Sequence, residues 1–251
     1  MSATIYYFSA TGNSLQAALD IAEGIGDAEV ISIAKSGMNV TCDSDIIGFV
    51  FPVFAWGLPN MVRDFIASGS FNKDAYIFAI VTCGAAIGTT AHDADVLLRA
   101  KGAKLSYAAK LRMVANYIIM YDVNTLATDA ILKKAEIKLS RIIADLNNRK
   151  KHKIKRGLGL MYKSHQKAVS LYKMADKDYT VSKSCDGCAR CVAVCPAKNI
   201  SLVDKKPVFW HKCEHCLACF HWCPKKAINY KNRTKNKNRY HHPKVKASQL
   251  P

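Results

Sequence analysis

The chain has 251 residues, half of them hydrophobic, enough to bury one sizeable core and still carry a small second module. Its net charge of +18 is uneven: residues 1–145 hold 12 Lys and Arg against 14 Asp and Glu, whereas residues 146–251 hold 25 against 5, which marks a boundary near residue 146. No apolar run approaches the ~20 residues that span a bilayer. The N-terminus MSATIYYFSATGNS has no basic region ahead of its apolar stretch, so it reads as a strand and not as a signal peptide, and a soluble, cytoplasmic protein is expected.

Residues 3–8 (ATIYYF) form a β-rich apolar run, followed by SATGNS at 9–14 and a helical pattern with Leu15, Leu19 and Ala22 on one face. The alternation continues. Residues 29–33 (EVISI), 45–51 (DIIGFVF), 75–82 (AYIFAIVT) and 103–113 (AKLSYAAKLRM) read as strands. Residues 58–68, 89–101 and 125–148 read as helices, the last with Leu139, Ile142, Ile143 and Leu146 at helical spacing. Strands alternating with helices predict an α/β domain: a five-stranded parallel sheet covered on both faces.

A ligand of such a sheet lies beyond the carboxyl ends of its strands, at the switch point beside the first. Three loops are expected there. The first, 9–14, offers backbone N–H groups, two Ser and a Thr at a helix start, which suits a phosphate dianion. It has no lysine, and neither the Walker motif nor GxGxxG is present, so triphosphate and dinucleotide readings weaken. The second, 52–59 (PVFAWGLP), places Phe54 and Trp56 after a buried strand, with Gly57 letting the chain approach a flat ring. The third, 82–90 (TCGAAIGTT), is rich in small residues, as required where backbone packs against a ring edge. A phosphate loop together with two ring-contacting loops points to FMN. Cys83 reads as a small packed thiol, Cys42 as an ordinary residue before the third strand, and Tyr117 as a core or edge aromatic.

After the basic run 149–156, Leu158, Tyr162, His165, Val169 and Tyr172 recur at helical spacing, which predicts a helix that packs on one domain and orients the other. Eight of the ten cysteines then fall in two runs, at 185–202 (CDGCARCVAVCPAKNISL) and 213–230 (CEHCLACFHWCPKKAINY). Aligned at a period of 28 these share four Cys, Pro196/Pro224, Lys198/Lys226 and Ile200/Ile228. Each is C-x2-C-x2-C-x3-C-P, the spacing that wraps three thiolates around one 4Fe–4S cluster and sends the fourth to a second cluster. The fourth Cys is expected to start a short helix, with Pro in its first turn. The crossed assignment groups Cys185, Cys188, Cys191 and Cys223 on one cluster, and Cys213, Cys216, Cys219 and Cys195 on the other. Gly187 is expected to relieve crowding, and backbone N–H groups to point at the cluster sulfurs. Residues 200–203 and 208–210 predict a hairpin. Zinc knots use C-x2-C pairs separated by longer loops, so zinc is the weaker reading. His211, His215 and His221 are expected behind the ligands or on the surface. Residues 231–251, basic and poor in apolar side chains, are expected to be a disordered tail.

SATGNS resembles the phosphate loop of flavodoxins, and residues 1–150 are similar to that family throughout. Residues 179–230 resemble a bacterial-type diferredoxin. The whole chain is similar to flavodoxin–ferredoxin fusion proteins of anaerobes, which share the VFP…GLP second loop and the TCG third loop. The resemblance implies a flavodoxin-like sheet of order 2-1-3-4-5, a small α+β diferredoxin domain at the C-terminus, and residues 151–178 as a basic helical linker. It implies phosphate contacts from Ser9, Thr11, Gly12, Asn13 and Ser14. Ring contacts would come from Val53, Phe54, Ala55, Trp56, Gly57 and Leu58, and from Thr82, Cys83, Gly84 and Gly88. Residues 82–90 depart from ordinary flavodoxins in lacking both acidic residues and a stacking aromatic.

Clusters exchange single electrons and a flavin one or two, so both together imply an electron-transfer oxidoreductase that feeds a small acceptor, such as a quinone or nitro compound, or a partner protein. No general acid or base stands out near the expected ring, which keeps open a pure electron carrier with no substrate of its own. A cluster-based sensor that binds nucleic acid is a third reading. The basic half lacks a nucleic-acid motif, however, and suits an acidic redox partner better. No nicotinamide motif is visible, so direct NAD(P)H binding is not expected.

Overall fold

The computed structural model describes residues 2–26, 28–123, 125–156 and 159–251. Five strands, β1 (Ala3–Tyr7), β2 (Glu29–Ser32), β3 (Ile46–Pro52), β4 (Tyr76–Cys83) and β5 (Leu105–Arg112), form one sheet in the order β2-β1-β3-β4-β5. All four neighbouring pairs are parallel. The sheet is thus the expected doubly wound one, with its switch point at β1/β3. Successive side chains of its strands point to opposite faces, and both faces are buried; a register irregularity near the start of β5 puts Leu105 and Tyr107 on opposite sides. Ile5, Tyr7, Phe78 and Ile80 pack on one side against helices α1 (Asn13–Ile25) and α4 (Thr128–Asn147). Tyr6, Phe49, Phe51, Ile77 and Val81 pack on the other side against α2 (Asn60–Ser68) and α3 (Thr90–Arg99). Thr41–Cys42 pairs with Ser70–Phe71 in a short parallel ladder, and the Cys42 thiol there is buried.

Helix α5 (Gly159–Ser170) and a 3-10 segment (Tyr172–Asp178) connect the sheet to the cysteine runs. His165 and Val169 of α5 are buried while Tyr162 is exposed; Leu158, expected on the same face, lies outside the described residues. Strand β6 (Tyr179–Val181) pairs antiparallel with β9 (Ile228–Tyr230). The expected hairpin joins β7 (Ile200–Val203) to β8 (Lys206–Phe209). Its two-residue turn holds Asp204 and Lys205 at φ 48° and 59°, the left-handed pair that matches strand twist.

Residues 231–251 correct the expectation of a disordered tail. Tyr240, His242, Val245 and Leu250 are buried. The Val245 side chain lies against Gly12, where an added Cβ would stand 2.9 Å from it. His242 N donates to Thr11 O at 2.7 Å and Tyr240 OH to Asn13 Oδ1 at 2.6 Å. Low apolar content misled because the few apolar side chains present all meet the same surface. Among the described residues no helix is long and apolar enough to cross a membrane.

Candidate functional site

The carboxyl edge of the sheet gathers the three expected loops. In the first, Gly12 adopts φ 92° and its N–H donates to Ser9 Oγ at 3.1 Å. Ser14 Oγ bonds Thr82 Oγ1 at 2.8 Å, tying this loop to the end of β4. Thr11 Oγ1 accepts from Asn116, and Asn13 donates to Val114 O, so the Asn13 side chain faces the segment after β5. Gln16 N closes onto Gly12 O, the first turn of α1. The N–H groups of Asn13, Ser14 and Leu15 have no acceptor among the described residues, although all three residues are buried. Orphaned donors at a buried helix start fit an anion, because every one of them otherwise costs the free energy of a lost hydrogen bond. Ser9 and Thr11 accept through their hydroxyls and so keep an O–H to donate.

The second loop departs from expectation. Phe54 and Gly57 exchange both backbone hydrogen bonds at 3.0 Å, which closes a tight turn around Ala55 (φ 45°) and Trp56 (φ 67°). Such a turn normally carries Asn-Gly, so two side-chain-bearing residues here store strain. The turn leaves Trp56 half-exposed, while Phe54 is half-buried between Phe8 and Tyr172 at ring distances of 6.0 and 6.4 Å. Gly57 is small for a reason other than the ring: a Cβ there would stand 2.5 Å from the His165 imidazole, whose Nδ1 bonds Phe54 O. Leu58 is buried and Val53 half-buried behind the turn. The third loop closes on the second, since Gly88 leaves no room for a Cβ beside Trp56 O and Thr89 N donates to that same oxygen at 2.9 Å. Gly84 likewise makes way for Ala115. Cys83 is buried, its thiol pushed up by burial.

The cysteine runs repeat their backbone as well as their sequence. Gly187/His215, Ala189/Leu217 and Lys198/Lys226, related by 28 residues, all have positive φ. Gly187 there clears Lys205 of the hairpin, whose Cβ would lie 2.8 Å from an added Cβ. One-turn helices Arg190–Ala193 and Ala218–His221 carry the third Cys of each run. This corrects the expectation of a helix beginning at the fourth: Cys195 and Cys223 instead open tight turns, closed by Lys198 N onto Cys195 O and Lys226 N onto Cys223 O. The turn carries the next N–H back to the sulfur, so Asn199 N reaches Cys195 Sγ and Ala227 N reaches Cys223 Sγ, each at 3.3 Å.

Cys195, Cys213, Cys216 and Cys219 line one narrow cavity, although Cys195 belongs to the first run. Cys219 is buried and Cys216 half-buried, and burial together with their cysteine neighbours, Cys195 among them, holds both thiols well above the ordinary range. Cys191 is raised to about 11, first by burial; among its cysteine neighbours Cys223 outweighs Cys185. Cys195 of the first run thus lies with three cysteines of the second, and Cys223 of the second lies near Cys185 and Cys191 of the first. Among the described residues no three His, Cys, Asp or Glu side chains converge as on a single metal ion.

Two of the three histidines, His215 and His221, have both ring nitrogens engaged, and the third, His211, is exposed. His211 Nδ1 bonds Asp176 at 2.7 Å. His221 bonds Asn116 O and receives Tyr240 N–H. His215 bonds Tyr179 OH at 2.9 Å and Tyr117 OH at 3.2 Å, and burial lowers it to about 4, so it stays neutral. Tyr117 is thus part of a polar contact that sequence reasoning treated as packing alone. His215 also lies 4.8 Å from Tyr172, which meets Phe54 of the second loop, and Tyr179 OH stands 3.7 Å from Cys213 Sγ. Cys216 packs against the cores on both faces of the sheet, and Trp222 donates to Ala10 O at 2.9 Å, so the second cysteine run sits directly on the loop edge.

No protein-family model matches the chain, and no curated protein matches it. Solved structures align with its N-terminal part. A flavoprotein from Bacteroides uniformis is 22% identical over 44% of this chain and 90% of its own, with a TM-score of 0.34. Two-electron reduced Megasphaera elsdenii flavodoxin is 17% identical over 43% and 84%, with a TM-score of 0.34. An FMN-dependent NADH-azoreductase from Bacillus anthracis, solved with FMN, is 8% identical over 59% and 100%, with a TM-score of 0.40.

Proposed function

We propose that this chain is an electron-transfer oxidoreductase that holds FMN at the three-loop edge and two 4Fe–4S clusters in the cysteine runs. The observation that carries the reading is the cavity lined by Cys195, Cys213, Cys216 and Cys219, pressed against the loop edge of a doubly wound sheet. Bound there, the clusters supply single-electron exchange and FMN one- or two-electron exchange, so the chain couples the two regimes. The orphaned N–H groups of residues 13–15 and the Ser9 and Thr11 hydroxyls would hold the phosphate, and Trp56, presented by its strained turn, is the aromatic free to cover a ring. Asn199 N and Ala227 N, aimed at cysteine sulfurs, would stabilise charge on the ligands. Anaerobic purification is expected to give about eight iron, eight sulfide and one FMN per chain. Zinc in place of iron, or a colourless protein, would refute the reading.

The two runs differ in access, which bears on the partner. Cys188 is exposed, whereas its counterpart Cys216 in the second run is half-buried. Exposed cations of the first run and of the segments that flank or touch it include Lys183, Arg190, Lys198, Lys205, Lys206 and Lys225. Lys206 Nζ bonds Cys185 O at 2.8 Å, and Lys225 stands 4.0 Å from Asp186. An acidic redox protein would dock on this rim, since charge complementarity speeds encounter. Stopped-flow reduction by an acidic ferredoxin is expected to slow by at least about tenfold between 50 and 500 mM salt, and with Lys205→Glu/Lys206→Glu. A rate indifferent to both changes would place the docking face elsewhere.

A further inference from the structure

A second cavity, of about 290 Å3, opens where α2, α3 and the linker meet the ends of loops two and three; no cysteine and no residue of the 9–14 loop lines it. Its apolar wall is formed by Leu58, Val96, Leu97 and Tyr162. Arg63 and Arg156 are in its lining; Arg63 Nε and Nη2 already pair with Asp64 Oδ1, each at 2.8 Å, so Arg156 is the arginine of the lining with no carboxylate partner among the described residues, and the one carboxylate in the lining is Asp93. That carboxylate is already engaged, accepting the Thr89 O–H at 2.6 Å, and burial pushes its carboxyl group up. His165 is committed to Phe54 O, and burial lowers it, so it adds no fixed charge. Arg156 thus stands beside an apolar wall without an ion-pair partner among the described residues. Arginine pairs with planar anions through two parallel N–H bonds, and a volume at the lower end of ligand-site sizes admits a body of one or two rings.

We propose that this cavity binds a small organic anion: a carboxylate or similar planar anionic group on a compact, flat apolar body. Thr89 links the cavity to the strained turn, its N–H and Oγ1 both reaching Trp56 O, so an occupant lies beside the loops that present Trp56. The binding does not depend on the cofactor reading, because none of the cavity's residues is a cysteine or belongs to the phosphate loop.

The test is calorimetric titration of the full-length holoprotein with 2-naphthoate, and with 2-naphthalenemethanol as its uncharged counterpart. One site per chain is expected for naphthoate, with the alcohol at least about tenfold weaker. Arg156→Gln should weaken naphthoate by at least about tenfold. Val96→Trp, a change at a half-exposed position on the cavity wall, should abolish binding while leaving the melting temperature and the iron and flavin content unchanged. Absence of naphthoate binding at millimolar concentration overturns the proposal. So does binding that neither variant weakens, or that the alcohol matches. Loss of iron or flavin with naphthoate binding intact would count against the cofactor reading alone.

Discussion

Cys195→Ser is expected to remove the cluster of the second run, not that of the first. Iron should fall from about eight to about four per chain. The reason lies in the cavity that Cys195 shares with Cys213, Cys216 and Cys219, across the boundary between runs. Pairwise variants separate crossed from uncrossed ligation. With crossed ligands, Cys195→Ser/Cys213→Ser loses no more iron than either single change, because both remove ligands of one cluster. Cys195→Ser/Cys191→Ser, by contrast, damages both clusters although its two cysteines are neighbours in sequence. Non-additivity of this kind reports shared sites directly. Iron loss in the opposite pattern would assign each fourth Cys to its own run and refute the crossed grouping.

Deleting residues 240–251 is expected to destabilise the protein by about 5 kcal/mol or more, from the loss of three buried side chains, Tyr240, Val245 and Leu250, at about 1.5–3 kcal/mol each. That is a large share of the total stability of a typical domain. The deletion also uncovers Gly12 and removes the His241 ring that stacks on Trp222 at 4.3 Å. The truncated chain should therefore lose flavin on gel filtration under conditions where the full chain retains it. Tyr240→Phe isolates one contact: it deletes the O–H that serves Asn13 Oδ1 and should cost about 1–3 kcal/mol, read from denaturant midpoints. If the truncated chain melts within a degree or two of the full one, the tail contributes nothing to the phosphate-loop edge.

The sheet was legible because its causes are local. β-branched and aromatic runs separated by helical periodicity recur from residue 3 to residue 148, and the sheet buries both faces. Element ends shifted by only a few residues: the strand expected at 103–113 runs Leu105–Arg112, and the helix expected at 125–148 runs Thr128–Asn147, preceded by a 3-10 turn at Thr125–Ala127. The spacing within each cysteine run was equally local, and with it the positive-φ positions that recur 28 residues apart. Gly57 shows where this reasoning ends. A small residue beside two aromatics suggested close approach of a ring, yet its neighbour is His165, more than a hundred positions along the chain. The strained turn at Ala55 and Trp56 carried no signal at all, since neither residue is a turn former.

Sequence alone determined the order of strands and helices, the three loops after β1, β3 and β4, and the eight cysteines in two matched runs, because each follows from residues within about one turn or strand of one another. Tertiary structure decided what those parts meet. Trp222 reaches Ala10 across 212 positions and Tyr240 reaches Asn13 across 227. The tail covers the loop at 9–14, Cys195 joins the cysteines of the second run in one cavity, and a cavity lined in part by arginine forms behind loops two and three. Contacts of that range depend on which surfaces are left apolar or unpaired once the local elements have formed, and no periodicity or spacing encodes that.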